Sequence, residues 1–318
     1  MRWWGTALLV WAGCAAPHWS VPQPDLDRVP LSVWAAGPND VYSSGGALGS
    51  GGEGLLVHFD GSAWSTIPLG TTATLWWVFG LGPRDVYLVG EQGTILHWDG
   101  SAVTSMTSGT ASTLYGIWGT GADDLWSVGG RPGQDGVLLH KDASGWQVLP
   151  SPVPFVAFFK IWGVAANDIF LCGEGGTIVH YDGAAWTVQP TGLSSTTTLF
   201  TIAGRSHGEV YSVGGFGKAV AMRYDGAAWS PMPDALLANT GSLAGVSVDP
   251  HDGTLILVGE GGIKLRGKPG ALVDESAEAP HDDLHSAFYL DGELYTVGGN
   301  YLAPTGAARH GVIGHYGR

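Results

Sequence analysis

Charged residues, and basic ones above all, are scarce in this chain. Only 13% of its 318 residues are charged, and 14 Lys and Arg stand against 28 Asp and Glu, which gives a formal net charge of −14. The basic residues are scattered singly, so no basic stripe exists to neutralise the phosphates of a nucleic acid or of anionic lipid headgroups. Nucleic acid is therefore excluded as a partner, and attachment to a membrane would need another cause.

Cysteine and long apolar runs are also scarce. The two cysteines are Cys14 and Cys172, and Cys172 occupies a strand position where other repeats carry Val or Ser. We therefore interpret Cys172 as a small buried residue and expect no disulfide. The apolar run from Trp3 to Gly13 has only about half of the roughly 20 residues that a membrane-spanning helix needs. It predicts a signal peptide over residues 1–13.

The end of this run, Val10-Trp11-Ala12-Gly13-Cys14, resembles the signal of bacterial lipoproteins, in which the cysteine receives the lipid. The resemblance implies lipidation at Cys14 and, with Ala15 following, an anchor in the outer membrane, on its periplasmic or cell-surface side. The alternative is an ordinary signal peptide cleaved after Ala15 or Ala16. We expect a secreted mature chain, residues 14–318, that forms a single domain and touches a membrane only through a lipid anchor.

Glycine, tryptophan and an internal repeat are abundant. The chain has 52 Gly, more than double the usual share of about 7%, and 15 Trp. One pattern recurs seven times: an apolar strand, an Asn-Asp or similar corner, Val-Tyr-x-Val-Gly, a Gly-rich turn, an apolar strand ending in His-x-Asp-Gly, and then Trp. A period of about 40 residues with four short strands predicts an all-β fold, a seven-bladed β-propeller with four antiparallel strands per blade.

The two ends of the chain are predicted to close the ring together. The first strands are predicted to begin at apolar residues one period apart: Leu31, Leu75, Leu114, Ile161, Leu199, Leu243 and Leu284. The seventh copy ends after three strands, whereas His18-Trp19-Ser20-Val21 resembles Ala185-Trp186-Thr187-Val188 at the start of a fourth strand. We therefore predict that an N-terminal strand around Trp19 completes blade seven, which removes an open sheet edge.

Three residue types recur at fixed positions, and we interpret each as part of blade construction. The third strand ends in His, which we expect to have a structural role, such as bonding the Asp-Gly turn that follows. That turn favours a hairpin, because Gly accepts a positive φ. The fourth-strand Trp is expected to pack between blades, with stacking on sugars as the alternative. The positions are His58, His97, His140 and His180; Asp60, Asp99, Asp182 and Asp225; and Trp64, Trp146, Trp186 and Trp229.

The string Val-Gly-x-x-Gly-[Thr/Val]-[Ile/Leu]-[Val/Leu]-His-x-Asp-Gly-x-x-Trp resembles the repeat propellers of bacterial surface lipoproteins of the myxobacterial type. It is also similar to Asp-box, kelch-like and photosystem II assembly-factor propellers. The resemblance covers residues 18–318 and implies the fold, but propellers have many unrelated functions. The Asp-box pattern is not matched fully, since Gly follows the Asp directly, and no arginine triad of a sialidase can be mapped.

Catalytic and metal-binding patterns are weak. The sequence contains no P-loop, dinucleotide fingerprint or nucleophile elbow. Equivalent His residues of neighbouring blades would lie too far apart to bind one metal ion. A turn glutamate recurs with the repeat, which favours a role in the turn over glycosidase chemistry; the positions are Glu53, Glu91, Glu174 and Glu260. We expect no catalytic residue, no cofactor and no metal.

Loop length varies mainly on one predicted face, formed by the loops between second and third strands and by the connections between blades. Long non-repeating loops on a rigid scaffold are where binding residues usually lie. The candidate binding face comprises Arg131, Phe155, Phe158, Phe159, Asn300, Tyr301, Arg309 and His310. The alternative is that these loops only pack on each other.

Together these patterns predict a monomeric, noncatalytic binding or scaffolding propeller at the bacterial cell envelope. Its partner would be an envelope or extracellular protein. A lectin-like propeller that binds glycans is the second hypothesis, and a glycoside hydrolase or lyase is the third.

Overall fold

The chain folds into seven four-stranded antiparallel sheets arranged in a ring, as the repeat predicts. The computed structural model describes residues 16–47, 52–301 and 308–317, so the predicted signal peptide and Cys14 lie outside the described residues. Within those ranges there is no α-helix, and the only helical elements are 3₁₀ turns at Glu91–Gly93, Leu236–Asn239 and Glu260–Gly262. This part of the chain accordingly has no helix of the length and apolarity that crossing a membrane requires.

Each blade uses four strands in chain order, except blade seven. Blade one contains β2 (Val29–Gly37), β3 (Asp40–Gly46), β4 (Gly54–Phe59) and β5 (Trp64–Thr66), and blade two contains β6 (Leu75–Gly82), β7 (Asp85–Gly90), β8 (Ile95–Trp98) and β9 (Val103–Met106). Blade three contains β10 (Leu114–Gly121), β11 (Asp124–Arg131), β12 (Asp135–Asp142) and β13 (Gly145–Leu149). Blade four contains β14 (Phe158–Ala165), β15 (Asp168–Gly173), β16 (Ile178–Tyr181) and β17 (Trp186–Gln189).

Blades five to seven contain β18 (Leu199–Ser206), β19 (Glu209–Gly214), β20 (Val220–Tyr224) and β21 (Trp229–Pro231); β22 (Leu243–Val248), β23 (Leu255–Gly259), β24 (Lys264–Lys268) and β25 (Ala271–Asp274); and β26 (Leu284–Leu290), β27 (Glu293–Gly299), β28 (Gly311–Gly317) and β1 (His18–Leu26). The first strands of consecutive blades contact one another, and β26 contacts β2, so the ring is closed.

The core lies between blades rather than within one blade. Phe170 of blade four, for example, packs with Leu199 and Val210 of blade five in one buried cluster. Large rings from one blade also lie against glycine of the next: a Cβ added to Gly80 would meet the ring of Trp34 at 2.3 Å. Glycine is therefore required where a first-strand tryptophan packs against the neighbouring blade, and this explains part of the high glycine content.

The predicted closure of the ring is confirmed. Strand β1 pairs with β28, with Trp19 opposite Tyr316. Trp19 is buried, and its Nε1 donates a hydrogen bond of 2.8 Å to Glu275 of blade six. Glu275 also pairs with Arg266, whose guanidinium lies 4.3 Å from the ring centroid of Tyr316. The N-terminal strand is therefore joined to blade seven by the sheet and to blade six by the hydrogen bond from Trp19 to Glu275.

Two predicted strand starts are wrong. Strand β14 begins at Phe158, three residues before Ile161, and β2 begins at Val29, before Leu31. Phe158 pairs with Gly173 just as Leu114 pairs with Gly129, so Phe158 is the buried first residue of its strand. The run around Phe158 has apolar residues at both positions, and the sequence pattern aligned the second of them with the repeat.

Candidate functional site

A cavity of about 320 Å³ opens on the ring axis. The cavity opens on the face of the ring that carries the loops between second and third strands and the connections between blades. We call this face the upper face and the opposite face of the ring the lower face. The cavity lies at the upper ends of the first strands. Its wall is mostly aromatic, and it includes Trp76, Tyr115, Phe159, Phe200 and His285. Each of these residues directly follows the first residue of its first strand, so equivalent positions in different blades converge on the axis.

The rings of this wall form a continuous chain of contacts, which we call the aromatic arc. Neighbouring centroids are 5.1 to 5.9 Å apart, in tilted or edge-to-face arrangements that aromatic pairs favour. In order around the axis the arc consists of Phe216, Phe200, Phe159, Tyr115, Trp76, His285 and Tyr301. Phe216 ends the arc and is 72% exposed, so it presents an apolar ring to solvent beside the cavity.

The arc has a gap at blade six, where the equivalent position is Ala244. Ser242 and Glu260 line the cavity there. The Glu260 carboxylate accepts no hydrogen bond and joins no ion pair within the described residues. By contrast, the carboxylates of Glu91 and Glu174 accept backbone N–H groups of Thr74 and Ala157, each at 3.0 Å. Glu91 and Glu174 thus fix inter-blade connections, whereas Glu260 is free to meet a ligand.

Lys160 lies below the arc and is only 3% exposed. Its Nζ donates to the Tyr115 carbonyl at 2.9 Å and lies 4.0 Å from the centroid of Trp77. Burial lowers the pKa of Lys160 to about 7. Burial, together with the nearby charge of Lys160, lowers the pKa of His285 to about 3, so His285 is neutral in the physiological range. The cavity therefore combines an apolar wall with one lysine beneath it and one unpaired carboxylate at its gap.

The structure separates the predicted binding-face residues into four groups. Phe159 and Tyr301 line the cavity. Phe158 was expected on the binding face, and this is wrong, because as the first residue of β14 it is fully buried in the inter-blade core. Phe155 is 77% exposed and lies outside the cavity wall.

Of the remaining four predicted residues, Arg131, Asn300 and Arg309 contact their own loops, and His310 also contacts the connection that precedes blade seven. Arg131 forms an ion pair with Asp135 across the blade-three loop. Arg309 donates to the Asn300 carbonyl at 2.9 Å, and His310 contacts Asp282 at 2.7 Å. Parts of the long loops of blades one and seven, residues 48–51 and 302–307, lie outside the described residues.

The recurring histidines lie toward the lower face. The predicted hydrogen bond from these histidines to the Asp-Gly turn is wrong, because each histidine contacts a different aspartate. Nε2 of His58 lies 2.6 Å from the carboxylate of Asp40, at the start of the second strand. The same pairs recur at 2.7 Å for His97–Asp85, 2.9 Å for His140–Asp124 and 2.7 Å for His180–Asp168.

Strand register explains this partner. His58 lies opposite Tyr42 and stacks on its ring at 4.3 Å, and Asp40 is two residues before Tyr42 on the same side of the strand. The turn carboxylate of Asp60 is already occupied by the backbone N–H groups of Ser62 and Ala63. The fourth-strand tryptophans pack against second-strand rings, as Trp186 does against Trp126 of the preceding blade at 5.6 Å.

Sequence reasoning missed most of the arc. Trp76, Tyr115, Phe200, Phe216 and Lys160 were not singled out, because they vary in type from blade to blade. A signal was nevertheless present, since a large ring directly follows the buried first residue of the first strand in blades two to five. In a propeller such positions must converge at the upper mouth of the channel.

No protein-family model and no curated protein matches this chain. Solved structures with a similar fold include YCF48 bound to a D1 peptide, with a TM-score of 0.69 and 12% identity over 95% of this chain and 97% of that chain. YCF48 from Cyanidioschyzon merolae has a TM-score of 0.65 and 11% identity over 94% and 98%. Chaetomium thermophilum Sqt1 bound to the N-terminus of ribosomal protein L10 has a TM-score of 0.61 and 12% identity over 86% and 83%. At such identities the likeness shows the propeller fold alone.

Proposed function

We propose that this chain is a noncatalytic scaffold that binds a protein partner at the upper mouth of its channel. The observation that carries the proposal is the aromatic arc around a cavity of about 320 Å³, with Phe216 exposed at its edge. Buried aromatic anchors in a pocket supply most of the energy of protein–protein contacts. The cavity is large enough for one apolar side chain of a partner segment, and the segment itself would lie across the upper face.

The partner segment should be basic near its anchor. The chain has a formal net charge of −14, which raises the encounter rate with a positively charged partner. Inside the cavity the unpaired Glu260 carboxylate and the faces of the arc can accept a cationic group. Two similar propellers are described as bound to peptide segments, one from D1 and one from ribosomal protein L10; this supports the same mode of binding here without identifying the partner.

The noncatalytic character is supported by how the carboxylates are used. Glu91 and Glu174 hold backbone N–H groups, and the lower-face aspartates hold histidines. A glycosidase needs two carboxyl groups about 5–10 Å apart across a substrate, and among the described residues the cavity wall offers Glu260 alone.

A cross-linking experiment tests the site. Benzophenone-bearing phenylalanine at position 216 should cross-link one protein partner, whereas the same group at Val164, 44% exposed near the lower face, should not. Equal cross-linking from both positions would contradict an upper-face site. Binding to immobilised glycans at several sites per chain, with no protein cross-link, would instead establish the lectin alternative.

The proposed location is the bacterial envelope, through lipidation of Cys14. The expectation rests on the lipoprotein-like run before Cys14, which lies outside the described residues. Metabolic labelling with a fatty acid should label the chain, and Cys14→Ala should abolish both the label and sedimentation with outer membranes. A Cys14→Ala chain that still sediments with outer membranes would point to another means of attachment.

A further inference from the structure

The boundary between blades four and five holds a third side chain beside one of the recurring His–Asp pairs. Asp168 begins β15, His180 lies in β16, and His207 lies in the corner between β18 and β19. Nε2 of His180 is 2.7 Å from Asp168, and Nδ1 of His207 is 2.9 Å from the same carboxylate. Side chains of two blades therefore converge on one acidic group.

This arrangement departs from the repeat. The corner residue that corresponds to His207 is Pro83 in blade two, Ala122 in blade three and Ala166 in blade four. At Pro83 the neighbouring blade makes a different bridge, in which the hydroxyl of Tyr42 donates to the Pro83 carbonyl at 2.8 Å. Blade four has Phe170 at the Tyr42 position and cannot form that bond.

His207 therefore replaces the missing hydroxyl bridge with an imidazole that reaches Asp168. Its ring lies 6.2 Å from Phe170 and 5.5 Å from His180, between centroids. The boundary between blades four and five thus has an inter-blade contact of its own, by different chemistry from the hydroxyl bonds of Tyr42 to Pro83 and of Tyr295 to Pro38.

The three side chains are suited to a metal ion. One ligand atom from each of Asp168, His180 and His207 lies within 4.8 Å of the other two. Imidazole nitrogen and carboxylate oxygen are the common ligands of zinc, at about 2.0–2.2 Å. Ligand atoms around such an ion are about 3.3 Å apart, so the observed contacts would open by roughly half an ångström. His207 can make this adjustment, because its side chain is 47% exposed.

We propose that Asp168, His180 and His207 form a binding site for a divalent transition metal ion of the zinc class, which links blades four and five. Three protein ligands leave one coordination position for water. The site lies toward the lower face, away from the aromatic arc, so it does not depend on the proposed partner-binding function. The ion replaces hydrogen bonds between the two blades with bonds to a shared cation.

The test measures Zn²⁺ binding by titration calorimetry on the full-length chain, stripped with a chelator and carrying no polyhistidine tag. We expect one ion per chain and a rise of the thermal midpoint of about 4–8 °C when Zn²⁺ is 100-fold above its dissociation constant. Co²⁺ should give the visible absorption of an ion bound by imidazole in a low-symmetry site.

Variants distinguish this site from other histidines. His207→Ala should weaken Zn²⁺ binding at least tenfold and remove the rise in midpoint, and because His207 lies at the surface the fold should persist. His97→Ala, which breaks a His–Asp pair lacking a third ligand, should leave Zn²⁺ affinity unchanged, as should His251→Ala, which breaks the exposed pair with Asp291. Undetectable Zn²⁺ binding by the parent chain, or equal binding by His207→Ala, would overturn the proposal.

Discussion

The two faces of the ring differ in how far the blades resemble one another: the lower face repeats the same contact, whereas the upper face varies from blade to blade. On the lower face one contact, an imidazole on a carboxylate, is repeated at His58, His97, His140 and His180 with lengths of 2.6 to 2.9 Å. On the upper face the equivalent positions carry Trp, Tyr, Phe, Phe, Ala and His in blades two to seven. The repeated His–Asp contacts of the lower face stabilise the fold of the blades. The residues that differ between blades on the upper face form one cavity on the ring axis.

The difference also concerns charge. The recurring lower-face aspartates are paired with imidazoles or with backbone N–H groups of the Asp-Gly turns. Near the upper mouth, within the described residues, Lys160 is buried without an acidic partner, and the carboxylate of Glu260 makes no hydrogen bond or ion pair. Unpaired charge beside a cavity costs stability and is therefore a mark of a site rather than of scaffold construction.

The largest expected effect comes from Lys160→Met. Burial lowers the pKa of Lys160 to about 7 from its ordinary 10.5. Between these values the unfolded chain binds more protons than the folded chain, so the free energy of unfolding rises with pH by up to about 1.4 kcal/mol per pH unit. Below pH 7 both states are protonated, and this destabilisation is fully present.

Urea denaturation between pH 6 and pH 10 measures the effect of Lys160→Met as the difference between parent and variant. That difference should change by several kcal/mol across the window, with the variant the more stable at pH 6. Lys264→Met is the control, because the pKa of Lys264 falls only to about 8. A difference independent of pH would show that Lys160 keeps its charge without cost and that the upper mouth is not strained electrostatically.

The second effect concerns binding. Phe216→Ala should weaken capture of the cross-linked partner about tenfold or more, as expected for an exposed aromatic ring that the partner buries on binding. Because Phe216 is 72% exposed, the free energy of unfolding should change by less than about 0.5 kcal/mol. Val164→Ala, an exposed apolar truncation near the lower face, is the matched control and should alter neither quantity. Loss of capture in both variants would remove the distinction between the faces.

The sequence was sufficient for the ring because the strand pattern recurs seven times and the same turn and core residues recur in several of the copies. It even predicted the closing strand at Trp19, since the missing fourth strand of blade seven has one counterpart at the other end. It failed at Phe158, where two apolar residues three apart both suit the strand start. A shift of three residues moved a core residue into a predicted binding loop.

The candidate site was less predictable for the same reason. Arc residues such as Trp76 and Tyr115 share a position but not a residue type, so no recurring motif marks them. The partner of His58 was missed because Asp40 and Asp60 are both nearby in sequence, and only the strand register decides between them. A contact between side chains of two blades, such as that of His207 with Asp168, cannot be predicted from the sequence of one repeat.

A third, smaller effect should appear at a repeated lower-face pair. The pKa of Asp124 is lowered: burial acts to raise it, but hydrogen bonds from Thr120, His140 and Trp126 outweigh burial. The stabilisation from this carboxylate is therefore present above the ordinary aspartate pKa and is lost as pH falls from there through the lowered pKa of the folded state.

Asp124→Asn should cost about 1–2 kcal/mol of unfolding free energy at pH 7. A double-mutant cycle with His140→Ala should give a coupling of about 1 kcal/mol. Capture of the partner should not change. A lower-face substitution that abolished capture while the fold persisted would mean that this face also binds.

The smallest effect is expected at Phe155, where the effect of a residue on stability can be separated from its effect on partner binding. Phe155 is 77% exposed and has a φ of 62°, a conformation that bulky side chains rarely adopt. Phe155→Gly removes this strain but adds freedom to the unfolded chain, so unfolding free energy should rise by about 0.5 kcal/mol. Phe155→Ala keeps the strain and removes the same ring, which makes it the matched control.

If Phe155 is a peripheral contact of the partner, both variants should weaken capture about threefold, since contacts at an interface rim contribute little. A full tenfold loss in both would extend the binding site from the aromatic arc outward along the connection between blades three and four.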